Sequence, residues 1–381
     1  MIIKNAQIIL RDEVIQGTVN IEDGIIKAVD QGDSQLANAQ DWQGDYLMPG
    51  LIELHTDNME KYFSPRPGVA WPSIPAILAH DTQMASAGVT TVFDAVAVGY
   101  DIYKSTRSQI LDDVISSIEY ISDNHLAKAD HFIHLRCELS SDSTSDEFDQ
   151  NASTHLLKLV SLMDHAPGQR QFAKMDKYIE YYKGKYNFSD EEMNNNIELH
   201  QQSSKEFAHI HRKNIAKYCQ ENEIPMASHD DATQAHVEEA MAHHVSIAEF
   251  PTTLEAAKFS HENKLQVLMG APNLVRGYSH SGNVAARELA ENGCLDILSS
   301  DYYPSSLLHA AFSLAGFYDE TDKANGLAGA IRCVTDNPAQ AVNLDDRGRI
   351  ERGKKADFLR VSKHKDLPIL QEVWKDGTRV S

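Results

Sequence analysis

Between Pro49 and about Asn343 the chain repeats one rhythm, a short apolar run followed by a stretch of helical length. The runs are Leu51–Leu54, Val89–Val96, Phe132–Leu139, Leu157–Met163, Pro225–Ser228, Val245–Phe250, Gln266–Met269 and Asp296–Ser299. Parallel strands need a long crossover, usually a helix, so eight such alternations predict an α/β fold built as a (β/α)8 TIM-like barrel. The fourth run, Leu157–Met163, fits a helix turn as well as a strand by periodicity alone. After it, Ser189-Asp190-Glu191-Glu192 is a capping box opening a polar stretch with apolar residues at Met193, Ile197, Phe207, Ile210 and Ile215. That pattern predicts a long helix to about Glu221, a helical insertion near 189–221 between the fourth and fifth strands.

The two ends of the chain read differently. Alternating runs at Ile2–Ile9, Val14–Ile21 and Ile25–Val29, punctuated by Asp23-Gly24, predict a β-meander. Gly348, Gly353, Ala356–Val361 and a last run through Val373 and Trp374 repeat that style. Chain ends often lie close together, so residues 1–48 and 344–381 are expected to form one small β-sandwich beside a barrel of residues 49–343.

Composition removes several classes of function. With 35 Lys and Arg against 56 Asp and Glu in 381 residues the net charge is −21, which repels nucleic acid and anionic lipid. An anionic small molecule would need a local cluster of cations or a metal. No run approaches the ~20 apolar residues of a membrane helix. The start, MIIKNAQIIL, reads as a strand and not as a secretion signal, so a cytoplasmic location is expected, with a homodimer as the default oligomeric state. The four cysteines, Cys137, Cys219, Cys294 and Cys333, lie far apart without CxxC spacing and are expected to be free thiols.

Barrels of this kind carry their chemistry at the C-terminal ends of the strands. Here those ends are rich in metal-ligand types: His55-Thr56-Asp57, Cys137-Glu138, Asp164-His165, His229-Asp230-Asp231, Glu249 and Ser300-Asp301. Any one of them has a plainer explanation as a helix cap or a satisfied polar group. Together they would repel one another unless cations neutralised the carboxylates. His55 and Asp57 are two apart, so on an extended strand both point to the same face and can chelate one ion. Imidazole with carboxylate suits Zn²⁺, Mn²⁺ or Fe²⁺.

Met48-Pro49-Gly50-Leu51-Ile52-Glu53-Leu54-His55-Thr56-Asp57 resembles the first-strand signature of the amidohydrolase superfamily, PGxIDxHxH. Asn337-Pro338-Ala339, Gly348, Ile350, Gly353 and Ala356-Asp357 resemble that superfamily's closing motif. More narrowly, His55–Lys61 with Pro65-Arg66-Pro67-Gly68, Leu162–Gln171 and Ala248–Thr253 are similar to the PhnM branch of phosphonate-degrading hydrolases. The resemblance implies one or two divalent metal ions, zinc or manganese, and hydrolysis of a 5-triphosphorylated ribose 1-alkylphosphonate to the 5-phosphate and pyrophosphate. It also implies that His55, Asp57 and Asp301 hold one metal and that Glu138 bridges. His165 stands at the fourth strand end, where some relatives carry a modified lysine. His229 matches a fifth-strand ligand, and Glu249 stands where relatives carry another histidine.

Asp301 is the expected base for the attacking water, since a carboxylate beside the metal lies within reach of that proton. Lys61, Arg66, Arg170 and Arg276 follow strand ends in loops and are the expected phosphate-binding cations, the arginines by bidentate hydrogen bonds. Two other readings use the same residues: hydrolysis of a C–N bond, as in a deacetylase or cyclic amidase, and a catalytically silent barrel kept as a scaffold.

Overall fold

The computed structural model describes residues 1–32, 34–66, 68–99, 111–168, 170, 175, 178–179, 183, 188–279, 282–321 and 326–381. The chain forms two compact units, one of Met1–Asp94, Ser117–Phe132 and Met269–Ser381, the other of Ala95–Ser116 and Ile133–Leu268. The N-terminal strands are β1 (Ile2–Ile9), β2 (Val14–Glu22), β3 (Ile25–Gln31), β4 (Gln40–Asp41) and β5 (Tyr46–Pro49). Then follow β6 (Leu51–Thr56), β7 (Val89–Val98), β8 (Asp130–Glu138), β9 (Leu157–Met163), β10 (Met226–His229), β11 (Ile247–Glu249), β12 (Gln266–Gly270) and β13 (Ile297–Ser299). The C-terminal strands are β14 (Phe358–His364), β15 (Leu367–Lys375) and β16 (Thr378–Arg379).

Strands from both ends of the chain join in one mixed sheet, ordered β16-β15-β14-β5-β1-β2-β3 with β4 beside β1. Its apolar positions meet in one core of Ile3, Ile8, Val19, Ile21, Ile26, Trp42, Leu47 and Phe358, and Trp374 stacks on Phe358 with ring centres 5.6 Å apart. The expected hairpin is present. Asp23 and Gly24 both have positive φ, 50° and 74°, which a two-residue turn between right-twisted strands requires.

The second sheet is the barrel, eight parallel strands in the order β6 to β13. A parallel bridge between Thr56 and Asp301 joins its first and last strands. The doubtful fourth run is a strand: β9 pairs with β8 and with β10. Its last five residues are all buried, as an interior parallel strand covered on both faces demands. Ser189 and Glu192 make both bonds of the capping box, and the helix they open runs Asp190–Ser203, passes through a π turn at Ser204–Ala208 and continues as His209–Glu221. The π turn aims neighbouring hydroxyls at strand-end loops: Ser203 Oγ bonds the Ser140 carbonyl, and Ser204 Oγ donates to Asp164 at 2.9 Å. Among the described residues no helix is long and apolar enough to cross a membrane. All four cysteines are buried and free.

The helix Ser73–Ser86 is fastened to β7 and β8 by a buried acid–imidazole network. Asp94 accepts from His80 Nε2 at 2.8 Å and from His131 Nδ1 at 2.7 Å, while His131 Nε2 lies 3.3 Å from Asp81. Burial disfavours a charged His131, yet Asp94 and Asp81 outweigh it and lift its pKa to about 10. Burial would likewise raise Asp94, but the His131 charge and both imidazole bonds hold it well below the usual carboxylate range. A histidine that binds its proton more tightly when folded contributes fully below its ordinary pKa of 6.5, and that contribution is lost as pH rises towards 10. The Asp94 contribution has the opposite sense, present above its ordinary 3.8 and lost in acid. The stability difference between wild type and His131→Gln, from denaturant titrations, should therefore be largest near about pH 5–6 and shrink towards pH 10. A difference independent of pH would refute the ion pair.

Candidate functional site

In the unit that holds Ile133–Leu268, five side chains alternate acid and imidazole. Glu138, the last residue of β8, accepts from Ser140 Oγ at 2.6 Å and from His165 Nδ1 at 2.7 Å. The far nitrogen of His165, Nε2, is 3.6 Å from Asp230 Oδ2, and His229 Nε2 is 3.4 Å from the same oxygen. His229 Nδ1 in turn meets Glu249 at 2.7 Å, and Glu249 also accepts from Ser161 Oγ at 2.8 Å. The His165 and His229 rings stand edge to face, 5.5 Å between centres. One ligand atom from each of His165, His229 and Asp230 falls within 4.8 Å of the other two.

The charges are coupled. Burial disfavours the His165 cation, but Glu138 and Asp230 overcome it and raise its pKa to about 10. Burial pushes Glu138 and Asp230 upward too; His165 pulls Glu138 down, and His229 with His165 pulls Asp230 down. Asp164, close to Glu138, is raised first by burial and then by that neighbouring charge.

Asp230 stands at the same strand end as His229 but is not among the expected ligands, which follow the family resemblance. An extended strand would send adjacent residues such as His229 and Asp230 to opposite faces. Asp230 has φ 60°, in the left-handed region, and this brings its carboxylate back to the His229 side. Asp301 (φ 58°) and Phe250 (φ 53°) repeat the device after β13 and β11. In each case the turned residue's N–H still bonds a strand carbonyl: Asp230 to Glu249, Phe250 to Leu268, Asp301 to His55.

The other unit holds His55, Asp57 and Asp301. Here the β6 and β13 ends are stitched together through Glu53, whose carboxylate accepts from the His55 N–H at 2.7 Å, Ser299 Oγ at 2.7 Å and the Ser300 N–H at 2.5 Å. Burial pushes Glu53 up to about 7 in spite of these donors. Thr56 Oγ1 donates to the Asp301 carbonyl at 2.7 Å, which fixes the main chain on both sides of the site. Among the described residues, no set of three mutually close ligand atoms includes Asp57 or Asp301. Lys61 is exposed, 5.2 Å over the Tyr62 ring, with its pKa lowered by partial burial. Arg66 is exposed in a loop bridged to Val69. Arg276 is exposed, stacks at 4.6 Å on Tyr278 and donates to its hydroxyl at 3.0 Å.

One of the expected cations is engaged elsewhere. Arg170 is buried and ion-paired with Asp231 and with Glu239, so its guanidinium is committed inside the protein and not held out for a phosphate. Glu138 and Glu249 each accept from an imidazole nitrogen, Glu138 from His165 and Glu249 from His229.

Residues 46–381 match the model of the amidohydrolase family. The chain belongs to that family. Over 380 residues it is 47% identical to a protein of Escherichia coli (strain K12) named alpha-D-ribose 1-methylphosphonate 5-triphosphate diphosphatase, with 100% of both chains covered. Among solved structures it is similar to 5-methylcytosine deaminase from Klebsiella pneumoniae liganded with phosphonocytosine, at 16% identity and TM-score 0.66, covering 100% of this chain and 98% of that one. N-acetylglucosamine-6-phosphate deacetylase from Thermotoga maritima is similar at 14% identity and TM-score 0.59, covering 100% and 99%. These structures share the amidohydrolase barrel.

Amidohydrolases generally use divalent metals, and the donor set of this family member fits one. His165 and His229 turn one nitrogen each towards Asp230, and each has the other nitrogen held by a glutamate. Metal-ligating histidines characteristically have such a carboxylate behind them, fixing tautomer and ring angle. Elemental analysis should find a transition metal in the purified chain, lost in Asp230→Ala and bound about 10–100-fold more weakly in Glu249→Gln. Arg170→Met should leave Asp231 uncompensated and lower unfolding free energy by about 3–5 kcal/mol in denaturant titrations.

Proposed function

We propose that this amidohydrolase hydrolyses α-D-ribose 1-methylphosphonate 5-triphosphate, or a near relative with another alkyl group, to the 5-phosphate and pyrophosphate, acting in the cytoplasm. The observation that carries this reading is the 47% identity, over the full length of both chains, to a diphosphatase of that substrate. The motifs shared with that branch at His55–Lys61, Leu162–Gln171 and Ala248–Thr253 support it.

The proposed metal ligands are His165, His229 and Asp230 in one unit, with His55, Asp57 and Asp301 as a second candidate set in the other. Imidazole and carboxylate donors suit zinc or manganese. A bound divalent ion supplies Lewis acidity, lowering the pKa of water and shielding phosphoryl oxygens. Glu138 and Glu249 hold the His165 and His229 rings in one tautomer. In the proposed reaction a water oxygen forms the new bond to the innermost phosphorus of the triphosphate and the bridge to the next phosphorus breaks. Asp301 takes the water's proton, and pyrophosphate leaves with the bridging oxygen. Lys61, Arg66 and Arg276, cations in a chain of net charge −21, bind the anionic oxygens.

Phosphorus NMR of the products separates this reaction from its alternatives. Wild type with metal should give pyrophosphate and the 5-phosphate, Asp301→Asn should lower kcat about 10²–10⁴-fold, and chelator should stop the reaction. Orthophosphate as the first product would reject the proposed bond, and turnover unaffected by chelator would reject metal dependence.

A further inference from the structure

Arginines that leave solvent in this protein are, with one exception among the described residues, paired. Among the described arginines that are not exposed, Arg170, Arg212, Arg332, Arg347, Arg349 and Arg360 each meet a carboxylate. Arg136 does not. Among the described residues nothing accepts a hydrogen bond from it, and its Nε is shut off from solvent without an acceptor. A chain with 56 acidic residues has no shortage of counterions, so a cation left unpaired at a half-buried position is an unspent cost in the free protein.

The position of Arg136 on its strand gives that cost a purpose. Alternation along β8 puts His134, Arg136 and Glu138 on one face. His134 on that face bonds Ser161 Oγ at 2.5 Å, and Glu138 bonds His165. In register, Arg136 lies opposite Ser161 on β9, whose hydroxyl is already committed to Glu249. Arg136 is therefore one pleat, about 7 Å, deeper along the strand than the Glu138 that orients a proposed metal ligand. The opposite face of β8 carries Leu135 and Cys137, both fully buried and apolar in character.

We propose that Arg136 binds a phosphoryl or phosphonyl oxyanion of the substrate, and that its missing counterion is the ligand itself. This rests on the reading above that the substrate is a phosphorylated phosphonate. A guanidinium presents two parallel N–H donors to two oxygens of such a group, and a lysine at the same place would present a point charge. The substrate offers this chemistry at two ends, the phosphonate and the triphosphate, and simple anions distinguish them. Methylphosphonate stands for one end and inorganic pyrophosphate for the other.

Calorimetric titration of metal-loaded wild type, Arg136→Lys and Arg136→Met with each anion, beside thermal unfolding of all three, tests the assignment. One anion should bind about 10–100-fold more weakly to Arg136→Met, with part of the loss recovered in Arg136→Lys, and KM for the full substrate should rise in parallel. The melting temperature should not fall in Arg136→Met, because a cation without a partner contributes no native ion pair. Equal affinity of wild type and Arg136→Met for both anions would overturn the proposal, as would a weakened affinity accompanied by an equal loss of thermal stability in Arg136→Met and Arg136→Lys. Wild type that releases no pyrophosphate, yet whose anion affinity depends on Arg136, would remove the functional reading and leave the anion site standing.

Discussion

An imidazole between two carboxylates keeps charge in the interior of this protein. The arrangement occurs as Glu138, His165 and Asp230 in one unit and as Asp94, His131 and Asp81 in the other. In both, burial is the largest influence on the histidine and opposes its ionisation, and neighbouring charges reverse that effect. The consequence is cooperative. Removing one member strands the others in a medium of low polarity, so the groups persist as a set. The first set holds side chains that a divalent ion would use. The second fastens a helix against the barrel strands β7 and β8.

Much of this was legible in the sequence because it follows from local rules. The barrel strands came from apolar runs, the hairpin from Asp23-Gly24, and the long helix from a serine and a glutamate three residues apart. His165 and His229 could be named because they end strands. What periodicity could not supply was the sense of the backbone just past a strand. A left-handed residue at Asp230 reverses the alternation that an extended strand would impose. Nor could the sequence say which cations were spoken for. Arg170 sits in a loop flanked by a proline and glycine and looks available, but Asp231 and Glu239, sixty and more residues further along the chain, take it up.

The same economy of charge joins the terminal sheet to the barrel strands. Arg347 bonds Thr91 on β7 and Asp130 on β8, and Lys355 and Lys375 crowd the same aspartate. Burial alone would raise Asp130, but Lys375, Arg347 and Lys355 hold it low. With acids in large excess, the basic residues are the scarce component, and where each one sits decides which segments are fastened.

Strand β5 ends at Pro49, and one of its two sheet neighbours, β14, begins only at Phe358. During synthesis β1, β2, β3 and β5 leave the ribosome long before β14 does. Throughout that interval β5 presents an open row of main-chain donors and acceptors beside a half-covered apolar core, the feature through which chains adhere to one another. The nascent chain therefore spends most of its translation with an unprotected edge, and a holding chaperone that masks extended apolar segments would matter more for the yield of this protein than for its stability once made.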